Sequence, residues 1–294
     1  MSLQGIDISS WQSGIDLRAV PADFVIVKAT QGTRYVNPDM HRAIRQAMEA
    51  GKLVGVYHYA TGADVAAEAY HFVQTVRPYI GRAILVLDWE AQSNGAFTRP
   101  EWAKDWLRQV HTATQVRPLI YMSKSVAQGY DWRGIAGSFG LWVAQYKNYV
   151  PTGYQADPWT DKYGYGAWPY PAIFQYSSSG QLPGWSGRLD LNIAYMDAAG
   201  WRAYATGGAA FQVGATYTTA VDLRVRYGPG TSYRAKTHSE LTLGGQAADP
   251  DKTGVLEAGT RVTCLEISQQ GSDVWIRIPS GWIAAVYRGK IFVQ

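Results

Sequence analysis

An uninterrupted apolar run, Ala83-Ile84-Leu85-Val86-Leu87, ends in Asp88-Trp89-Glu90, and similar runs recur over the first two thirds of the chain. Gly5–Ile8, Phe24–Ala29, Val54–Tyr59, Ala83–Glu90, Leu119–Met122, Leu141–Tyr146, Ala172–Tyr176 and Leu189–Asn192 read as short strands. Several are apolar at every position, as strands covered on both faces must be. Between them the apolar period changes to that of a helix. Met40, Ala43, Ile44, Ala47 and Met48 form one such face, opened by Asn37-Pro38 and stopped at Gly51. Thr98-Arg99-Pro100-Glu101 has the form of a capping box ahead of a helix reaching Val110. A third helix is expected over 64–76, with Ala66, Ala69, Tyr70 and Val73 on one side. The later connections are less helical.

Strands alternating with helices imply a parallel sheet, and about eight strands in residues 1–206 point to an α/β fold of the degenerate TIM-like (β/α) barrel type. An open doubly wound sheet is the alternative, disfavoured because no Gly-rich nucleotide turn follows the first strand. Residues 147–170, rich in Tyr, Trp, Gly and Pro, are too long for a plain connection and are expected to wall a cleft. Small residues then mark a linker over 207–215. From 216 to 294 the helical period is lost. Val221–Val225, Val255–Leu256, Arg261–Ile267, Val274–Ile278 and Trp282–Val286 read as strands of a small all-β barrel.

Composition narrows the function. Of 294 residues 47% are hydrophobic and 17% charged, which suits a core-forming chain. Twenty Tyr and 12 Trp exceed ordinary usage, and such side chains line sugar or peptide clefts as well as cores. The net charge of +4 has no Lys/Arg-rich run behind it, so nucleic acid is not an expected partner. No apolar stretch is long enough to span a membrane. The start of the chain lacks the basic and apolar regions of a signal peptide. The single cysteine, Cys264, lies in an apolar run and reads as a buried thiol. Five histidines without paired metal spacing suggest neither a metal nor another cofactor. His58, between Tyr57 and Tyr59, reads as a strand-end hydrogen-bonding residue.

Asp88 and Glu90 carry the chemistry. Side chains at i and i+2 of a strand share a face with Cα atoms about 6.5 Å apart, and both would point into the barrel mouth, where such barrels keep their active sites. Two like charges in a partly dry site raise one pKa, and a carboxylic acid kept protonated can donate to a glycosidic oxygen. Asp7, after the first strand, and Asp190, in the last, would flank the same mouth. Tyr57, Tyr121 and Trp142 occupy comparable strand positions.

With Gly5-Ile6-Asp7-Ile8-Ser9, Phe24 to Thr30, Gly55-Val56-Tyr57-His58-Tyr59, Leu87-Asp88-Trp89-Glu90, Leu141 to Tyr146, Phe174-Gln175-Tyr176 and Leu189-Asp190-Leu191-Asn192 in order, the chain resembles glycoside hydrolase family 25, the lysozymes or N-acetylmuramidases. The resemblance implies cleavage between N-acetylmuramic acid and N-acetylglucosamine. Glu90 would be the general acid/base and Asp88 its partner, either as nucleophile or by orienting a substrate acetamido group. Asp7 and Asp190 would hold the cleft, with Tyr57, Tyr121, Trp142 and Gln175 on the substrate. Gln31 departs from the family, which more often has Glu there.

Leu223 to Tyr233, with Gly228-Pro229-Gly230, resembles bacterial Src-homology-3-type wall-binding domains, although Arg224 replaces the customary Asn. This implies wall peptide or glycan as partner, contacted by Tyr227, Tyr233 and Trp282; Trp282 could equally be core. The combined expectation is a monomeric phage endolysin, made in the host cytoplasm and acting on the wall after release. A non-catalytic wall binder on a retired barrel would have lost its acids. A chitinase-like enzyme would need acids at 83 and 86, where Ala83 and Val86 stand. A Ser or Cys hydrolase finds no Gly-x-Ser-x-Gly elbow.

Overall fold

A computed structural model describes residues 2–207, 211, 213–270, 273–288 and 290–293, and divides into two compact units, Met1–Gly208 and Ala209–Gln294. The first unit begins with β1 (Leu3–Ile8), β2 (Phe24–Gln31), β3 (Tyr35–Val36), α1 (Met40–Glu49), β4 (Leu53–Tyr59) and α2 (Val65–Val76). β5 (Ala83–Asp88), α3 (Pro100–Thr114), β6 (Leu119–Ser123), α4 (Lys124–Gly129) and α5 (Arg133–Ala136) follow. It ends with β7 (Leu141–Ala144), β8 (Ile173–Gly180), β9 (Leu189–Ala194) and α6 (Ala198–Thr206). Eight strands run in the order β1-β9-β8-β7-β6-β5-β4-β2, and β1 pairs with β2 to close the barrel. The short β3 flanks β2 outside the ring.

The sheet is not parallel throughout, as the alternation had implied. β9 runs antiparallel to both neighbours, β8 and β1. Only residues 181–188 join β8 to β9, too few for a crossover, so the chain turns back on itself.

Strand alternation builds two apolar layers. Phe24, Ile26, Ile84, Val86, Leu119 and Ile173 fill the barrel, whereas Val25, Val27, Leu85, Leu87 and Ile120 face outward against Ile44, Phe72 and Leu107 of the helices. This is why the strands are apolar at every position. The floor is plugged by α6, whose Trp201 packs on Phe24 at 4.5 Å between ring centroids and donates Nε1–H to the Val54 carbonyl at 3.1 Å. The other rim stays open and polar.

Helix ends and faces differ from expectation in three places. α1 starts at Met40, and Asn37 instead closes a turn by accepting the Asp39 N–H at 3.1 Å. The capping box at Thr98 does not form: the N-cap of α3 is Arg99, without a side-chain hydrogen bond, because residues 94–99 fold into their own turns. α2 buries Glu68, Ala69, Phe72 and Val76 and leaves Tyr70 exposed. Its stripe is displaced because a charged residue, Glu68, is drawn inward by a buried partner, His58.

Among the described residues the second unit is small and all-β apart from a 3-10 turn (His238–Glu240) and α7 (Leu243–Ala247). It contains β10 (Thr216–Thr218), β11 (Leu223–Arg224), β12 (Val255–Leu256), β13 (Arg261–Thr263), β14 (Glu266–Gln270), β15 (Asp273–Ile278), β16 (Gly281–Tyr287) and β17 (Lys290–Ile291). The strand expected over Arg261–Ile267 is two strands, broken at Cys264-Leu265, and β10 had no signal in the sequence pattern. Leu223, Val225, Leu256, Cys264, Ile276 and Ile283 form its core. The long connection 234–254 is held by buried Asp249, which accepts from the N–H groups of Thr253 and Gly254 at 3.0 and 2.7 Å. Of the expected linker 207–215, residues 208–210 and 212 lie outside the described residues. Gly207 ends α6 at φ +88°, where any Cβ would sit 2.4 Å from the Gln115 carbonyl.

Candidate active site

The four acids meet at the open rim by three different routes. Asp7 lies near the end of β1, and Asp88 is the last residue of β5. Glu90 follows β5 by two residues, while Trp89 between them turns outward to stack on Trp102 at 5.6 Å. Asp190, expected at a strand C-terminus, is instead at the start of β9; the reversed direction of that strand brings it to the same rim, opposite Asp7 in the ladder.

Their environment resists ionisation. Burial pushes Asp7 up to about 6, assisted by the Glu90 charge and opposed by hydrogen bonds from Asn192 and Gln175. Burial, then Asp7 and Glu90, push Asp190 up to about 8. Asp88 is raised well above the ordinary carboxylate range by burial and by Glu90, against the pull of Lys28. Glu90 is raised by burial, with Tyr121 and Lys28 acting the other way. Oδ1 of Asp88 is buried and accepts no hydrogen bond among the described residues.

The uncharged side chains form a scaffold. Asp7 Oδ1 accepts from Gln175 Nε2 at 2.8 Å and from Asn192 Nδ2 at 2.7 Å. Gln175 Oε1 in turn accepts the hydroxyls of Tyr121, at 2.7 Å, and Tyr146. Trp142 Nε1 donates to Asn192 Oδ1 at 2.8 Å. Trp142 is 2% exposed and Gln175 3%, and they are hydrogen-bonded to Asn192 and Asp7 respectively. Buried Tyr57 feels all four acids, which raise its hydroxyl pKa further after burial itself. Its ring meets Trp142 edge-on at 6.5 Å between centroids.

Lys28, Tyr146 and Asn192 fall inside the sequence motifs, but the sequence alone assigned them no role. Lys28 donates to Gln31 Oε1 at 2.7 Å and lies 4.5 Å over the Tyr59 ring. Its contact with Gln31 was not legible in their spacing, since residues i and i+3 of a regular strand face opposite sides, and an irregularity between Lys28 and Thr30 brings them together. His58 is wholly buried behind the site, between Thr30 Oγ1 at 2.7 Å and Glu68 Oε2 at 2.8 Å. Among the described residues no group of three or more His, Cys, Asp or Glu could hold a metal ion.

The residues singled out in the second unit are placed differently. The Tyr227 ring lies under Arg234 at 4.4 Å and Lys236 at 4.8 Å, and its hydroxyl donates to Glu240. Tyr233 packs against Gly228, where a Cβ would come within 2.3 Å of the ring. Trp282 is 9% exposed and belongs to the buried side of β16.

The family model for glycosyl hydrolases family 25 matches residues 6–185. YegX of Escherichia coli K12 is 31% identical over 204 residues, spanning 65% of this chain and 69% of that one. Lysozyme M1 of Streptomyces globisporus is 28% identical over 208 residues, spanning 65% and 67%. The crystal structure of a lysozyme from Streptomyces coelicolor superposes with a TM-score of 0.59 at 26% identity, over 70% of this chain and 98% of that one. With four carboxylates gathered at the mouth of the barrel those proteins share, the chain belongs to glycosyl hydrolases family 25 and is a glycosidase.

Proposed function

We propose that the enzyme is a lysozyme hydrolysing the β-1,4 bond between N-acetylmuramic acid and N-acetylglucosamine in bacterial peptidoglycan, with Glu90 as general acid/base and Asp88 assisting. The carrying observation is the Asp88/Glu90 pair, both raised, beside a buried and unpaired Asp88 oxygen. Such an oxygen suits the N–H of a sugar acetamido group. Accepting that hydrogen bond favours the charged form of Asp88 and leaves the proton of the pair on Glu90, where the leaving oxygen needs it. Trapping a covalent glycosyl-enzyme on Asp88 would replace this role with that of nucleophile.

The test is digestion of purified peptidoglycan by wild type and Glu90→Gln, with the new ends identified by mass spectrometry. The expected result is reducing-end N-acetylmuramic acid, with turnover lowered ~10²–10⁴-fold in the variant. Reducing N-acetylglucosamine or free peptide amines would overturn the assignment.

The second unit is proposed to attach the enzyme to wall peptide or glycan through the face around Tyr227 and Tyr233, as its resemblance to wall-binding domains suggests. An anchored glycosidase suits an immobile polymer, since tethering raises its effective concentration there. We propose further that the enzyme works as a monomeric endolysin.

A further inference from the structure

Segment 147–170 and β8 line a half-open cavity of about 230 Å³, with Lys147, Asn148, Val150, Thr152, Gln155 and Trp159 among its walls. Its lining residues Lys147 and Tyr176 directly follow Tyr146 and Gln175 of the scaffold in the chain. Tyr146, whose hydroxyl meets Gln175, immediately precedes Lys147, and its ring meets Tyr149 edge-on at 6.0 Å. The far wall is the end of β8, where Thr152 bridges to Gly180.

The segment has almost no regular structure, yet it is fixed in place. Lys124, 2% exposed and just beyond β6, donates to Thr160 Oγ1 at 2.9 Å and pairs with Asp161 at 2.6 Å. Gln145 at the rim accepts from Thr160 Oγ1 at 2.8 Å and from the Asp161 N–H at 3.2 Å. A cavity held by such a clamp exists before any ligand arrives, so little ordering cost falls on binding.

Its chemistry is the reverse of the mouth's. No acid lines it. Lys147 is exposed, and among the described residues it makes no hydrogen bond or ion pair. Val150 and Trp159 are 62% and 44% exposed, so apolar surface stands beside that cation. A ligand fitting both is a short peptide with small apolar side chains and a free carboxylate. The glycan proposed as substrate carries such an arm on the lactyl group of its muramic residues, and this cavity has no carboxylate in its lining to repel it.

We propose that the Lys147–Trp159 cavity binds the peptide arm of the muramic residue, with a carboxylate on Lys147 and apolar side chains against Val150 and Trp159. The proposal rests on the muramidase reading. The enzyme therefore prefers peptide-bearing glycan to glycan stripped of its peptides.

The test compares kcat/KM of the full-length enzyme on peptide-bearing strands and on the same strands stripped by an amidase. Wild type should favour the former, and Lys147→Gln should reduce that ratio roughly tenfold, the scale of one charge-assisted contact. Trp159→Ala should lower the ratio too, and Lys147→Arg should retain it. Equal rates of wild type on both strands, or equal proportional losses on both in Lys147→Gln, would overturn the proposal while leaving the muramidase reading intact. No cleavage of either strand by wild type would overturn both.

Discussion

Asp190 holds its proton up to about pH 8 in the fold, whereas an unperturbed aspartate releases it near 3.8. Because the folded value is the higher one, this group favours folding below pH 3.8, and that advantage is lost as pH rises toward 8. Asn cannot ionise. Asp190→Asn should therefore melt increasingly above wild type as pH is raised from 4 to 8, while activity falls. A melting difference that does not change with pH would refute the view that Asp190 is a carboxylate forced to share one site with Asp7 and Glu90. The acids themselves were legible in the sequence, because a carboxylate at the end of a buried apolar strand is costly to desolvate and persists where chemistry needs it. Asn192 and Tyr146 were not singled out, since an amide or a phenol declares its role only when its partner's position is known, and Asp7 is 185 residues from Asn192.

At the level of elements, the pairing of β4 with α2 turns on His58 and Glu68, both wholly buried. Burial pushes His58 down, and Glu68 is held low because hydrogen bonds from His58 and Thr61 outweigh the upward push of its burial. Neutral His58 thus donates Nε2–H to a Glu68 carboxylate and accepts the Thr30 hydroxyl at Nδ1. Both folded values lie below the unfolded ones, so the stability they contribute is present above pH 6.5 and 4.5 respectively and is lost on acidification below each. Glu68→Ala would take the acceptor from the buried His58 and from the part-buried hydrogen bonds of Thr61 and Ala63. A loss of about 3–5 kcal/mol is expected by urea denaturation, with a flatter stability profile below pH 4.5, where Glu68 titrates. The profile should be steeper just below pH 6.5, because His58 loses the carboxylate that opposed its downward shift. A loss below about 1 kcal/mol would mean that water replaces the carboxylate.

The same pair explains why the face of α2 was misread: helical periodicity assigns Glu to solvent, and only a buried partner on another element reverses this. Strand positions were readable because burial on both faces leaves continuous apolar runs. The direction of β9 was not, since it depends on the length of one connection. The clamp on 147–170 was equally hidden, because its lysine lies outside the segment, next to β6.

For the whole molecule, the two compact units imply separable tasks. Deleting 208–294 should weaken sedimentation with purified walls and leave cleavage of soluble wall fragments largely unchanged. Equal loss on both substrates would mean that the second unit shapes the catalytic cleft. The proposed endolysin role predicts that this chain, produced inside a susceptible cell, lyses it only when a membrane pore-former is co-produced. Lysis without that helper would argue for a different route to the wall.

β1 closes the barrel against both β2 and β9, so the first strand of the chain waits for nearly the last one of its unit. During synthesis no shorter product can assemble the scaffold, because the Asp7 carboxylate meets Asn192 only when residues beyond the ninth strand have emerged. Trp201 on α6 then seals the floor a few residues later. Chains that stop short of α6 are thus catalytically silent, and the hydrolytic capacity of a cell making this protein follows only molecules whose first unit is complete.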